Sequence, residues 1–435
     1  MKSRLKSLTL YLIFLLLLPK VITAGGTNFT SIFGSRTLSL NGLYIAGVDG
    51  LNCTWNNPAG LAFLKGREIS ISVLDRTGQQ EFESSSSALH RSFRNDDLSL
   101  AGGLYYNIVP GITAALGYNK IIDYSVDWPY ALYRKIDTLS AIATFDFTNN
   151  LKINAISPSV AVAFGNLALG LTLNAYYIAQ YSTFPINNSR WTSGRGLVAY
   201  QYILDQDAWA FGFNLGLMTN LSDNLRIGLS AKSAAKASLK GSAKTLMFAQ
   251  VDSSSLSSIN TSGDFKLPWV LAMGLIYKAS ELAINIDASI SLWKSIRNNY
   301  MFSFQNQFWQ QSLSAYDSLT GVQGANLNFA TRNSIEAGIG IEYGSDQQQG
   351  YSFRFGYRFS QSPLSPSSLS MLFPLLDQHW FSIGLGYKGE DYYIDAAFAY
   401  VIGVNKEMLR YGISDLSGTY KTNGIIPSIT LHFGL

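Results

Sequence analysis

The sequence predicts an all-β protein, a 14-stranded antiparallel transmembrane β-barrel with an N-terminal hatch inside the lumen. Three observations predict it. From Tyr351 the odd positions read Tyr351, Phe353, Phe355, Tyr357 and Phe359, while the even ones read Ser352, Arg354, Gly356 and Arg358. A period of two is a strand with one apolar and one polar face, as a wall between lipid and a polar lumen requires. The connections between such segments alternate in length, six short and seven long, which makes fourteen strands. The chain also begins with a leader suited to export.

Residues 1–24 read as a secretory signal peptide. Lys2, Arg4 and Lys6 are followed by the apolar run Leu8 to Leu18 and by the small Ala24. That run is too short for a membrane helix, which takes about 20 residues. The leader carries four of the 32 basic residues and none of the 28 acidic ones, so the remainder has 28 of each sign. The formal charge of +4 belongs to the leader and gives no reason to expect a nucleic-acid partner. Cys53 has no second cysteine to pair with and reads as a small buried apolar residue.

Residues 25–66 lack the two-residue period and are Gly- and Asn-rich, with Gly42, Gly47, Gly50 and Gly60; they read as the hatch. Residues 67–435 read as the barrel. Its clearest strands come late: Trp269 to Tyr277, Leu282 to Leu292, Ile335 to Tyr343, Phe381 to Tyr387, Tyr392 to Tyr400 and Ile429 to Leu435. Glycines within several strands suit a curved, tightly packed wall. Short turns fall near 108–111, 164–167, 219–223, 278–281, 344–350 and 388–391. Long loops fall near 77–96, 123–156, 182–207, 235–267, 294–330, 361–378 and 404–423. Ile136 to Phe147 has strand character but is placed in a loop, because a fifteenth strand breaks the alternation. Phe433 is third from the end and Leu435 last; the alternation holds to that point, so assembly by the usual machinery is expected.

Two outer loops are too apolar for water. One carries Phe302, Phe304, Phe308 and Trp309; the other carries Leu369, Leu372, Phe373 and Leu376 between Pro363 and Pro374. Exposed apolar patches mark binding surfaces, so these are candidate ligand-capture loops; a lid folded onto the rim is the other reading. On the inward face, Arg354, Arg358 and Glu336 are candidate lumen charges, beside Arg226, Lys232, Asp287 and Asp395. An arginine there has the fork to meet a ligand carboxylate. The structural reading pairs Arg354 and Arg358 with Glu336, Glu342 and hatch groups.

Enzyme chemistry is not encoded. His90, His379 and His432 are far apart, and no Cys/His metal spacing, phosphate loop or Gly-x-Ser-x-Gly elbow occurs. Ser428 and His432 share the inward face but lie too far apart along one strand for a hydrogen bond. No cofactor or metal is expected.

Within the hatch stands Leu51-Asn52-Cys53-Thr54-Trp55-Asn56-Asn57-Pro58-Ala59-Gly60-Leu61-Ala62. Asn57-Pro58 is a turn signal. After a leader and a Gly-rich stretch, and ahead of about fourteen strands, Asn57, Pro58, Ala59 and Gly60 resemble the hatch motif of the FadL-type family. Those proteins are outer-membrane transporters of long-chain fatty acids and aromatic hydrocarbons. Ile156-Ser157-Pro158-Ser159-Val160-Ala161-Val162-Ala163-Phe164 and Leu167-Ala168-Leu169-Gly170 are similar to that family's fourth and fifth strands. The resemblance implies passive uptake of hydrophobic small molecules across the outer membrane. Ligand is caught among outer loops, passes a movable hatch and leaves sideways into lipid. The partners implied are that ligand and the surrounding outer-membrane lipid and lipopolysaccharide, with the barrel a monomer. An alternative role on the same fold is a shuttle or anchor in a protein-secretion system. A nonspecific aqueous porin is disfavoured by the hatch.

Overall fold

The computed structural model describes residues 32–48, 50–84, 89–92, 95–128, 147–187, 199–248, 253–296, 300–304, 326–327, 331–344, 349–365, 369, 372–408 and 418–435. The leader, Phe308, Trp309 and the segment 136–146 lie outside them. The wall comprises β1 (Arg67–Ser84), β2 (Leu89–Arg91), β3 (Asn95–Val109), β4 (Ile112–Trp128), β5 (Phe147–Phe164), β6 (Leu167–Asn187) and β7 (Ala199–Asn220). It continues through β8 (Leu225–Lys232), β9 (Ala235–Phe248), β10 (Ser253–Leu267), β11 (Val270–Ala279), β12 (Leu282–Ser291), β13 (Tyr300–Phe304) and β14 (Asn326–Leu327). It ends with β15 (Ser334–Tyr343), β16 (Gly350–Ser360), β17 (Gln378–Lys388), β18 (Tyr392–Gly403), β19 (Lys406–Met408) and β20 (Gly418–Gly434). Every pairing is antiparallel, and β1 pairs with β20, so the sheet closes on itself.

These segments make fourteen staves. Several staves are interrupted, and β8 with β9 is the clearest case. β7 pairs Asn214 with Lys232 of β8 and then Asp207 with Lys240 of β9. One residue is gained in between, at Ser233, whose backbone N–H donates to the Phe213 carbonyl. Such a bulge bends a strand without ending it. β10 and β11 form the next stave, broken at Pro268, which has no N–H to donate. The expected loop 235–267 is therefore a hairpin that carries two staves outward past the membrane. Polar side chains on its outer face hide it in the sequence. The same holds for much of 77–96, 123–156 and 182–207, where β1, β4, β5, β6 and β7 run on.

The alternation of 351–359 is realised as expected. Tyr351, Phe353 and Phe355 are exposed on the outer face, at 57, 49 and 61 %, while Arg354 and Arg358 are buried inside. In a bilayer that outer face meets lipid. The described part of the hatch, from residue 32 to β1, occupies the lumen and is almost wholly buried. It holds two short helices, α1 (Ser35–Ser39) and α2 (Cys53–Asn56), and a 3-10 segment at Pro58–Phe63. Pro58 fits the first position of that segment, where no N–H is needed. Its cap is Asn57, whose Oδ1 accepts from Ala59 N–H at 3.2 Å.

Inward glycines in the wall mark where the hatch presses. A Cβ on Gly216 would fall 2.7 Å from Ala59 N, and one on Gly356 would fall 2.5 Å from Asn41 N. Curvature is not their main role; close backbone approach is.

Candidate functional site

Three layers fill the lumen. At the outer end, an apolar cluster includes Tyr124, Trp128, Leu151, Ile178, Leu204 and Leu239 from β4 to β9. Leu369, Leu372, Phe373 and Leu376 belong to the same cluster. The loop between β16 and β17 has thus folded into the barrel mouth. The Leu372 carbonyl accepts from Tyr124 Oη at 2.9 Å and from Asn149 Nδ2 at 3.0 Å, and Phe373 stacks on Tyr124 at 5.8 Å. A run of leucines has no other place to hide from water. Phe302 and Phe304 lie on β13, in register with Gly263 and Thr261 of β10.

Below that cluster is a cavity of about 130 Å³. Its apolar walls are Trp55, Ile121, Ile122, Tyr176, Leu267 and Trp293. Ile121 and Ile122 are adjacent yet both buried, because β4 shifts register against β5 between Lys120 and Ile122. The polar groups converging on the cavity include Lys232, Asn56 and Glu336, with Ser233, Ser289 and Ser291. Lys232 comes from the end of β8, just before the bulge. Its ammonium stands 3.9 Å from the centre of the Trp55 ring and makes no hydrogen bond or ion pair among the described residues. The buried Asn56 Nδ2 is likewise without a partner. Glu336 accepts from Ser360 Oγ at 2.8 Å and from Ser289 Oγ at 3.3 Å. A desolvated cation and an amide donor in an apolar chamber suit the acidic head of an apolar molecule. The sequence placed Lys232 on the inward face; its seat against Trp55 depends on the hatch fold.

The hatch is tied to the wall around its rim. Asp287 Oδ1 accepts from Ile45 N–H at 2.7 Å, and Asp287 Oδ2 accepts from Asn41 Nδ2 at 3.2 Å. Asn57 Nδ2 donates to the carbonyls of Ile45 and Leu217, both at 3.2 Å. One side-chain amide thus joins hatch to hatch and hatch to barrel, while Pro58, Ala59 and Gly60 lie buried behind it.

Beneath the hatch lies a cavity of about 230 Å³ with a cluster of charged groups on its wall. Arg36 of α1 pairs with Glu342 at 2.7 Å; Arg354 pairs with Glu342 at 2.8 Å and also with Asp395. His432 Nδ1 lies 2.9 Å from Glu68, and its Nε2 lies 3.5 Å from Asp395. The expected pairing therefore holds for Arg354 and fails for Arg358. The Arg358 guanidinium is fully buried, has no hydrogen bond among the described residues and lies 4.1 Å from the centre of the Trp380 ring. Its expected partner Glu336 is engaged by the two serines.

Ser70 Oγ lies 2.9 Å from His432 Nδ1, an arrangement resembling part of a hydrolytic triad. It came from a neighbouring strand and so was not legible along β20. Ser70 is buried, does not line the cavity and also donates to Glu68 at 2.7 Å. A nucleophile needs access to substrate, so these groups lock β1, β18 and β20 together instead.

One seam of the wall is open. β3 pairs with β4 only from Ala101–Asn119 down to Val109–Ile112. Above that point β3 pairs with β1 alone, and β4 with β5 alone. Side chains bridge the seam: Lys120 Nζ donates to the Leu98 carbonyl at 3.1 Å, and Ser99 Oγ donates to Asp123 Oδ2 at 3.1 Å. Ile121 and Ile122 of the cavity wall lie on this stretch of β4.

Residues 43–433 match the family described as outer membrane protein transport protein (OMPP1/FadL/TodX). The chain is 26 % identical over 206 residues to the long-chain fatty acid transport protein of Escherichia coli O6:H1 (strain CFT073). That match covers 46 % of this chain and 44 % of the relative, less than half of its length. Among solved structures, the Pseudomonas putida toluene transporter TodX superposes with a TM-score of 0.75 at 16 % identity, covering 93 % of this chain and 99 % of that one. A FadL homologue from Pseudomonas aeruginosa gives 0.74 at 12 % identity, covering 95 % and 100 %.

Proposed function

Because the chain belongs to the OMPP1/FadL/TodX family of outer membrane transport proteins, we propose that it takes up hydrophobic small molecules passively, past a movable hatch, with release sideways into lipid. It is an outer-membrane barrel and not an enzyme. The observation that carries the proposal is the lumen above the hatch. A channel for water-soluble solutes is lined with polar groups, whereas this one is filled by an apolar cluster over a cavity walled by Trp55, Ile121, Ile122, Tyr176, Leu267 and Trp293. In this reading the outer cluster, with Leu369, Leu372, Phe373 and Leu376, receives ligand and parts to admit it.

Lys232 and Asn56 favour long-chain acids over hydrocarbons. A hydrocarbon leaves both donors unmatched, whereas a carboxylate answers both. The seam between β3 and β4 supports lateral exit. An apolar solute gains about 25 cal/mol per Å² by leaving water for lipid, and gains nothing from a polar periplasmic end.

The test is uptake of a labelled long-chain fatty acid and a labelled alkylbenzene into cells lacking their own transporter, with the wild type or Lys232→Met. Wild type raises uptake over the empty strain. Lys232→Met lowers acid uptake about tenfold, the loss of one charged hydrogen bond, and spares the hydrocarbon. No gain in uptake of either compound overturns the proposal; equal loss of both removes the role of Lys232.

A further inference from the structure

We propose that the outer face of β9 is a docking site for the phosphorylated headgroup of lipopolysaccharide in the surrounding outer leaflet. β9 alternates strictly. Ala235, Ala237, Leu239 and Ala243 are buried inside, whereas Lys236, Ser238, Lys240 and Lys244 are exposed outside. The membrane boundary lies just below them. On β7 the outward series runs Phe211 and Trp209, both exposed, then Asp207 and Asp205. On the next stave Trp269 is exposed below the break at Pro268, and Lys266 and Asp264 stand above it. Tryptophans at such a level form the interfacial belt, and outward charges are tolerated only beyond it. The lysines thus begin where lipid headgroups begin.

Two of them are free to bind. Lys236 is paired with Asp264 at 2.7 Å. Lys240 stands in register with Asp207, but that carboxylate accepts from Tyr177 Oη at 2.7 Å. Lys244 faces Ile203. Neither Lys240 nor Lys244 makes a hydrogen bond or ion pair among the described residues. Four residues along a strand separate them by about 13 Å, with the small Ser242 between. Asp205 and Asp207 flank the pair on the β7 side, and the room for an anionic group lies on the β10 side, beside Asn260 and Ser262. On the far side of the barrel, on β1 and β20, the rim instead presents Glu81 and Glu83, and its Lys421 is already paired with Glu83 at 2.7 Å. Among the described residues this cluster has no counterpart on β1 and β20, so a mobile phosphate-bearing lipid meets its complement at β9 rather than there.

The full chain in phosphatidylcholine nanodiscs containing lipid A is extracted gently, and glycolipid retained per barrel is measured by mass spectrometry. Lys240→Glu, Lys244→Glu, the double variant and Lys421→Glu are compared, with heat-modifiable gel mobility confirming the folded barrel. Wild type and Lys421→Glu should retain lipid A. The double variant should retain on the order of tenfold less, as loss of two interfacial cations implies. Equal retention by the double variant overturns the proposal, as does equal retention of dephosphorylated lipid A. Displacement of lipid A by equimolar phosphatidylglycerol overturns the assignment to the glycolipid. None of these outcomes depends on what the lumen carries.

Discussion

Arg354 and Arg358 sit four residues apart on one face of β16, yet their chemistry differs. Arg354 is held by Glu342, Asp395 and the Tyr393 hydroxyl, which the guanidinium fork suits. Removing it leaves the buried Glu342 with Arg36 alone and the buried Asp395 with His432 at 3.5 Å. Among the described residues Arg358 makes no hydrogen bond; it lies against the Trp380 ring and Gly42, with Glu336 a more distant counter-charge. A desolvated cation over a ring gains about 2 kcal/mol, which offsets only part of the burial cost. Arg354→Met should therefore lower stability by about 3–5 kcal/mol, whereas Arg358→Met, close in volume and uncharged, should be neutral or stabilising. Urea unfolding in detergent, followed by tryptophan fluorescence, checks both. Equal losses would show that Arg358 is directly paired in solution. Both arginines read alike in the sequence because period two reports the face of a side chain and not its neighbours.

At the scale of elements, the hatch seat is written in the wall more than in the hatch. Gly170 approaches the Pro58 and Ala59 backbone, Gly216 approaches Ala59, Gly228 approaches Ile45 and Gly356 approaches Asn41. Each stands at an inward position of its strand, which is the signal that was available: a glycine on the polar face of a stave, where a side chain is expected. Gly216→Val should push on Ala59 and Pro58, unseat the hatch and leave the barrel folded. Leu217→Val, one residue on and facing lipid, should do nothing. Sensitivity of cells to a bulky antibiotic excluded by an intact outer membrane reads the difference, and equal sensitivity of the two variants would remove the seat from Gly216. The staves of 269–292 and 335–400 were legible because their two faces differ in hydropathy along most of their length. The outer halves of β4 to β10 were not. Beyond the membrane their outer faces turn polar, as in Lys236-Ala237-Ser238-Leu239-Lys240, and a strand with Ser and Lys on one face and Ala on the other resembles a loop. The apolar loop 361–378 was legible as unusual, but only the fold shows that it caps the lumen.

At the scale of the whole molecule, one closed sheet must be both a seal and a path. A closed ladder satisfies every backbone group in lipid, so a route through its side costs unpaired N–H and C=O groups unless something replaces them. At the β3–β4 seam the replacements are side chains: Lys120 on the Leu98 carbonyl, and Ser99 joined to Asp123 and to Arg76 Nη1 at 3.0 Å. Side-chain bridges open by rotamer changes, whereas a backbone ladder opens only by unpairing residue after residue. Beside the seam, the register shift of β4 against β5 turns Ile121 and Ile122 together into the cavity, so the weak part of the wall borders the ligand chamber. If exit runs there, tying Ser99→Cys to Asp123→Cys with a short, reducible bis-thiosulfonate should stop uptake of fatty acid, and reduction should restore it. Heat-modifiable mobility should not change, because no ladder pairing is touched. Undiminished uptake in the bridged barrel would move the exit elsewhere: downward past the hatch, where an apolar chain has to pass the charges of Arg36, Glu342 and Asp395.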